Sequence, residues 1–85
     1  MHSNKWELTK IANGHLSCEN SELDDSSIDE IERIILNKFG NIIKEEKITV
    51  SYDNWSGIFI MQIGANTHSS DLLIKKIYDY LCEIR

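Results

Sequence analysis

Two hydrophobic rhythms alternate along this chain. From Ser27 to Phe39 the apolar side chains fall at Ile28, Ile31, Ile34, Ile35 and Phe39, the three-and-four spacing that lays one stripe along a helix. Ser27 and Glu30 have the spacing of a capping box, Asp29 and Glu30 suit the positive end of a helix dipole, and Gly40 supplies a stop. The pattern predicts a helix over about 27–39. A second helix is predicted over about 70–84, with Ser69 or Ser70 as its cap and Asp71 in its first turn. Its buried side takes Leu73 or Ile74, Ile77, Leu81 and Ile84, with Tyr78 and Cys82 at the margin and Asp71 four residues before Lys75 on the exposed side.

Between these helices the rhythm changes to two. In KITVSYD, residues 47–53, Ile48, Val50 and Tyr52 take one face and Thr49 and Ser51 the other. Asp53-Asn54-Trp55-Ser56-Gly57 then forms a turn, with Gly57 placed for a bulge, and residues 58–63 return as an antiparallel strand. Ile42 and Ile43 touch the core briefly before a solvated turn, Lys44-Glu45-Glu46. The N-terminal segment reads two ways. Asn4 and Glu7 fit a capping box, followed by Leu8, Ile11 and Ala12 at helical spacing and a stop at Asn13-Gly14. The same residues fit a hairpin, with Trp6 and Leu8 alternating before Asn13-Gly14 and Leu16 and Cys18 alternating after it. Lys10-Ile11-Ala12 breaks that alternation and favours the helix. The expected fold is a small two-layer α+β domain spanning residues 1–85, with a hairpin packed against two helices and a third helix or a further hairpin at the N-terminus.

One stretch strains this scheme. In IFIMQI, Ile58, Ile60 and Gln62 share one face, and Phe59, Met61 and Ile63 share the other. Helices on one side of a sheet cover only one of these faces. Either the N-terminal segment wraps the second face, with Trp6 supplying the bulk, or that face meets another molecule. Phe59, Met61 and the neighbouring Trp55 are side-chain types that anchor protein interfaces.

Charge sharpens the second possibility. The net charge is −5 over 85 residues, unevenly placed. Residues 1–32 hold eight acids against Lys5 and Lys10, a net −6, while residues 33–85 hold six acids against seven bases, a net +1. Such a field repels phosphate backbones and suits a basic partner. No run approaches the roughly 18 apolar residues of a membrane span, and MHSNKWELTK lacks the apolar centre of a secretion signal. Cys18 and Cys82, far apart in such a chain, read as thiols in a reducing compartment. A cytoplasmic protein with neither nucleic-acid nor membrane partner is expected.

Catalytic and metal-binding patterns are weak. His2, His15 and His68 stand outside the HExxH and CxxC contexts, and His15 with Cys18 lacks a third ligand. GxSxG is missing, and His68, Ser69 and Asp71 lie too close in sequence to face one another as a triad. The carboxylate pairs Asp24-Asp25, Asp29-Glu30 and Glu45-Glu46 sit in polar stretches where they stay solvated, and ENSELDDSSIDE lacks the glycine of a calcium loop. The expectation is no enzyme, no cofactor and no metal.

What remains is recognition of a protein. The acidic residues Glu22, Asp24, Asp25 and Asp29 would steer a basic partner, and Trp55, Phe59 and Met61 would hold it, with Tyr52 and Tyr80 as further aromatics. In size, in charge and in the acidic run ENSELDDSSIDEIE beside the turn DNWSG, the chain resembles the small acidic immunity proteins with which bacteria neutralise secreted or contact-delivered toxins. The resemblance implies a non-catalytic protein that binds its own toxin tightly, and the acidic surface makes the expected partner a basic toxin or nuclease whose active surface is covered. Two other readings stay open: a small enzyme or enzyme subunit with a polar site near His68 and the hairpin turn, and a homodimer formed through the apolar strand.

Overall fold

The computed structural model describes residues 5–10, 14–64 and 67–84. Four strands, β1 (Trp6–Lys10), β2 (Leu16–Asn20), β3 (Ile48–Asp53) and β4 (Gly57–Gln62), form one antiparallel sheet in the order β1-β2-β4-β3. Three helices, α1 (Ile28–Phe39), α2 (Ile42–Glu45) and α3 (His68–Glu83), complete a small α+β domain.

The N-terminal segment is a hairpin, against the helix that Asn4, Ile11 and Ala12 favoured; those three residues and Asn13 lie outside the described residues. Trp6 pairs with Asn20, Leu8 with Cys18 and Lys10 with Leu16. The physical reason is tertiary. A lone amphipathic turn would bury little, whereas β1 and β2 extend the sheet and place Trp6, Leu8 and Cys18 beneath α3. Gly14, at φ 77°, takes the left-handed conformation that a hairpin connection uses.

The layers follow from parity. Ile48 and Val50 of β3, Ile58 and Ile60 of β4, Cys18 of β2 and Trp6 of β1 share one face and join Ile31, Ile35, Ile43, Leu73, Ile74, Ile77 and Leu81 in one buried cluster. Each fully buried aliphatic side chain of this kind contributes about 1.5–3 kcal/mol. α1 and α2 pack on β3, and α3 crosses β1, β2 and β4. Phe39 and Tyr80 join the ends of α1 and α3 edge to face, with centroids 6.0 Å apart, and Lys38 Nζ lies 5.1 Å from the Tyr80 ring centre.

The helix ends differ in detail from the expected caps. α1 has no side-chain cap from Ser27; a 3-10 turn, Asp25–Ser27, precedes it, and Asp24 caps that turn by accepting from Ser26 N. Thr67, not Ser69 or Ser70, caps α3, in a reciprocal box with Ser70 whose two bonds are both 3.1 Å. Lys75 forms its helical ion pair forward with Asp79, at 3.4 Å.

Gly57 closes the β3–β4 hairpin at φ 72°, and a methyl group there would press on the Asn20 carbonyl and lie 2.7 Å from Ser21 Cα. Gly40 also has positive φ, 73°, but open space around it. Gly57→Ala is therefore expected to lose roughly 4 kcal/mol or more, since it adds backbone collision to positive-φ strain, and Gly40→Ala, at ψ −154° but in open space, about 2 kcal/mol. Urea unfolding of the two variants measures this, and equal losses would refute the close approach at Gly57.

Candidate functional site: the open face of the sheet

β4 is apolar on both faces because it is a central strand flanked by β2 and β3. Only one face lies under helices. Ile58, Ile60 and Gln62 point into the core; Phe59 and Met61 point the other way, where no described helix or strand lies over them. Trp6 does not cover them. It is 4% exposed, but its register with Asn20 places it on the helix side, so the expected wrap of the second face by Trp6 is not what the chain does.

The register builds two rungs across the open face. One runs Glu7, Glu19, Phe59, Ser51; the next runs Thr9, Ser17, Met61, Thr49. Phe59 and Met61 are half-buried, flanked by shorter or polar neighbours. Ile63 continues their parity and is 59% exposed. Trp55, at the tip of the β3–β4 turn, is 91% exposed. The turn itself is held by Asp53, whose Oδ1 accepts from Trp55 N at 2.8 Å and Ser56 N at 2.5 Å.

The acidic residues divide. The approach of Gly57 to Asn20 and Ser21 sets the Trp55 turn and the β2–α1 loop at the same end of the sheet. That loop carries Glu22, Asp24 and Asp25, all exposed. Glu22 N donates to Asn20 Oδ1 at 2.9 Å. Asp24 Oδ1 accepts from Ser26 Oγ at 2.5 Å and Ser26 N at 3.0 Å. These bonds, the hydroxyl's first, hold the Asp24 carboxyl below the usual carboxylate range. Asp29 is exposed in the first turn of α1, within the helix layer, and does not join the open face. Tyr52 also belongs to the helix side by parity, and Tyr80 packs on Phe39. Thus Trp55, Phe59, Glu22, Asp24 and Asp25 gather toward one end, Met61 lies one rung farther along, and Asp29 follows one turn after Asp25 at the start of α1.

Glu7 and Glu19 were not expected here. The helical reading used Glu7 as a cap partner, and Glu19 opened the acidic loop. The competing hairpin reading held the missing signal, since alternation about Trp6, Leu8 and Cys18 sends both glutamates outward. Across the β1–β2 pair they stand directly opposite, like charge to like charge.

Other chemistry is scattered. His68 begins α3, next to Ser69, whose Oγ donates to Glu46 Oε2 at 3.2 Å just before β3. That is the end of the sheet opposite the Trp55 turn, so the two parts of the polar site considered from sequence do not meet. Among the described residues no group of three or more His, Cys, Asp and Glu side chains is placed to hold a metal. A cavity of about 110 Å³ between α1, α2 and β3 is lined mainly by Ile35, Ile43, Ile48 and Val50, below the roughly 300–1,000 Å³ of small-molecule pockets. No described helix is long and apolar enough to cross a membrane. No family model matches the chain, and no curated protein or solved structure is significantly similar to it.

The two thiols are free, Cys18 buried and Cys82 half-buried. Burial pushes the Cys18 thiol far up, with Cys82 and Glu19 adding to the effect. Iodoacetamide at pH 8 should therefore add one label to the native protein, on Cys82, and two after denaturation, as read by intact mass and peptide mapping. Carboxyl-carbon NMR should show Asp24 titrating below an ordinary aspartate, with Ser26→Ala moving it back up. Because the folded value is the lowered one, the stabilisation it carries is present above the unfolded aspartate value and disappears as pH falls through the folded value.

Proposed function

We propose that this chain is a non-catalytic binding protein that neutralises a basic protein, of the toxin or nuclease kind, by covering its cationic surface with the open face and the acidic end of its sheet. The observation that carries this reading is the conjunction on one face that no described helix or strand covers: the apolar line Phe59, Met61 and Ile63 runs beside the carboxylates of Glu7 and Glu19, with Trp55 exposed at its end.

Size and charge set the terms of such a contact. Four strands at about 4.8 Å spacing and five or six residues at about 3.3 Å make a face of roughly 350 Å². A stable interface buries about 800 Å² per partner. The sheet face alone is too small, and the Trp55 turn with the loop holding Glu22, Asp24 and Asp25 supplies further area at the same end. Trp55 and Phe59 then act as anchors in the desolvated centre, while the carboxylates speed encounter from the rim. A copy of the chain is a poor occupant of this face, because a net charge of −5 meets itself and two glutamate rows come together. A basic enzyme that binds a phosphate backbone presents the complementary field, and an acidic cover competes directly for that surface.

Capture with the tagged protein from its native cell at low salt is expected to retain a basic protein, released by about 0.5 M salt and inhibited by the purified chain. Trp55→Ala or Phe59→Ala should weaken that complex at least ~30-fold, chiefly through faster dissociation. The double variant Asp24→Lys, Asp25→Lys should slow association and flatten its salt dependence. A complex indifferent to salt, or an acidic partner, contradicts the proposal.

A further inference from the structure

Resting on that reading, we propose that the rung formed by Glu7, Glu19 and Phe59 is a socket for one arginine side chain of the basic partner. Glu7 and Glu19 are paired residues across β1 and β2, so their strands are about 5 Å apart at that point. Neither side chain has an ion-pair or hydrogen-bond partner among the described residues. Opposed carboxylates on adjacent strands repel, and a cation set between them turns that repulsion into attraction.

The same rung continues from Glu19 to Phe59, whose half-buried ring lies one strand farther on. A guanidinium is planar, stacks on an aromatic face and presents its donors in a fork that fits carboxylate oxygens. An ammonium satisfies the charge but not the plane.

A further group points to the same ligand. Ser17, two residues before Glu19 on the same face of β2, is 1% exposed, and its Oγ has no hydrogen-bond partner among the described residues. A buried hydroxyl without a partner is costly, and it stands in the floor framed by Glu19, Thr9 and Met61. A guanidinium seated on Glu19 carries five N–H groups, enough to serve both carboxylates and leave a donor for this oxygen once the side chains beside it part. The acidic loop at residues 22–29 steers, but among the described residues it offers neither an aromatic face nor a buried, unpartnered acceptor.

The test uses the whole chain and two capped peptides, acetyl-Arg-Arg-Arg-amide and acetyl-Lys-Lys-Lys-amide, in low salt, followed by amide NMR. The arginine peptide should shift Glu7, Ser17, Glu19 and Phe59 and bind at least threefold more tightly than the lysine peptide. Glu19→Gln should weaken it at least fivefold, and Trp55→Ala less than twofold. In the free protein, Glu7→Gln and Glu19→Gln should each raise the unfolding midpoint by a few degrees, with little added by combining them. Equal affinity for the two peptides overturns the socket, as does a lowered midpoint, which would mean that the carboxylates already have partners. Shifts confined to residues 22–29, with Glu19→Gln without effect, also overturn it while leaving the basic-partner reading intact. That reading fails separately, if the captured partner is acidic or its binding ignores salt.

Discussion

The rest of this structure depends on one asymmetry: the middle strand of its sheet is apolar on both faces, and the helices seal one. β4 lies between β2 and β3, so its backbone groups are satisfied on both edges and its inward residues, Ile58 and Ile60, have no exposed surface. The outward residues have no second layer among the described residues. Their shielding is lateral, from Glu19 and Ser17 on one side and Ser51 and Thr49 on the other. These neighbours are short or polar, so Phe59 and Met61 stay half-exposed.

The closure at Gly57 fixes where that face ends. Its left-handed backbone lets the β3–β4 turn press against Asn20 and Ser21, and this single approach brings the connection out of β2 alongside the tip that carries Trp55. Without it, the acidic loop and the exposed indole would be separate features of a small globule. With it, charge and aromatic surface occupy one end of the sheet. The helices contribute by occupying the other side: Tyr80 is held by Phe39 and Lys38, and Asp29 serves the dipole of α1.

The proposed interface would divide its labour. Carboxylates at a rim act over a distance comparable to the Debye length, about 8 Å at physiological salt, and would set the rate of encounter. An apolar line is felt only on contact and would set the lifetime. Opposed glutamates in the free protein are a local frustration, tolerated because β1 and β2 are tied down by Trp6, Leu8 and Cys18 beneath α3. Cys82 and the small cavity beside α1 stand outside this arrangement.

Local elements with a periodic burial pattern were legible from residue spacing alone. The α1 stripe Ile28, Ile31, Ile35 and the α3 stripe Leu73, Ile77, Leu81 each demand one covered side, and KITVSYD followed by a glycine-closed turn admits little besides a hairpin. The sequence also disclosed Phe59, Met61 and Trp55 as surplus apolar surface. Packing settled what the residues of β1 and β2 became, because a short segment with both a helical and an alternating pattern takes its conformation from what it packs against, and a vacant sheet edge beside β4 outweighed local propensity. That choice in turn set the direction of Trp6, placed Glu7 opposite Glu19, and left the second face of β4 open. Strand partners and register are long-range properties, and no spacing within a single segment contains them.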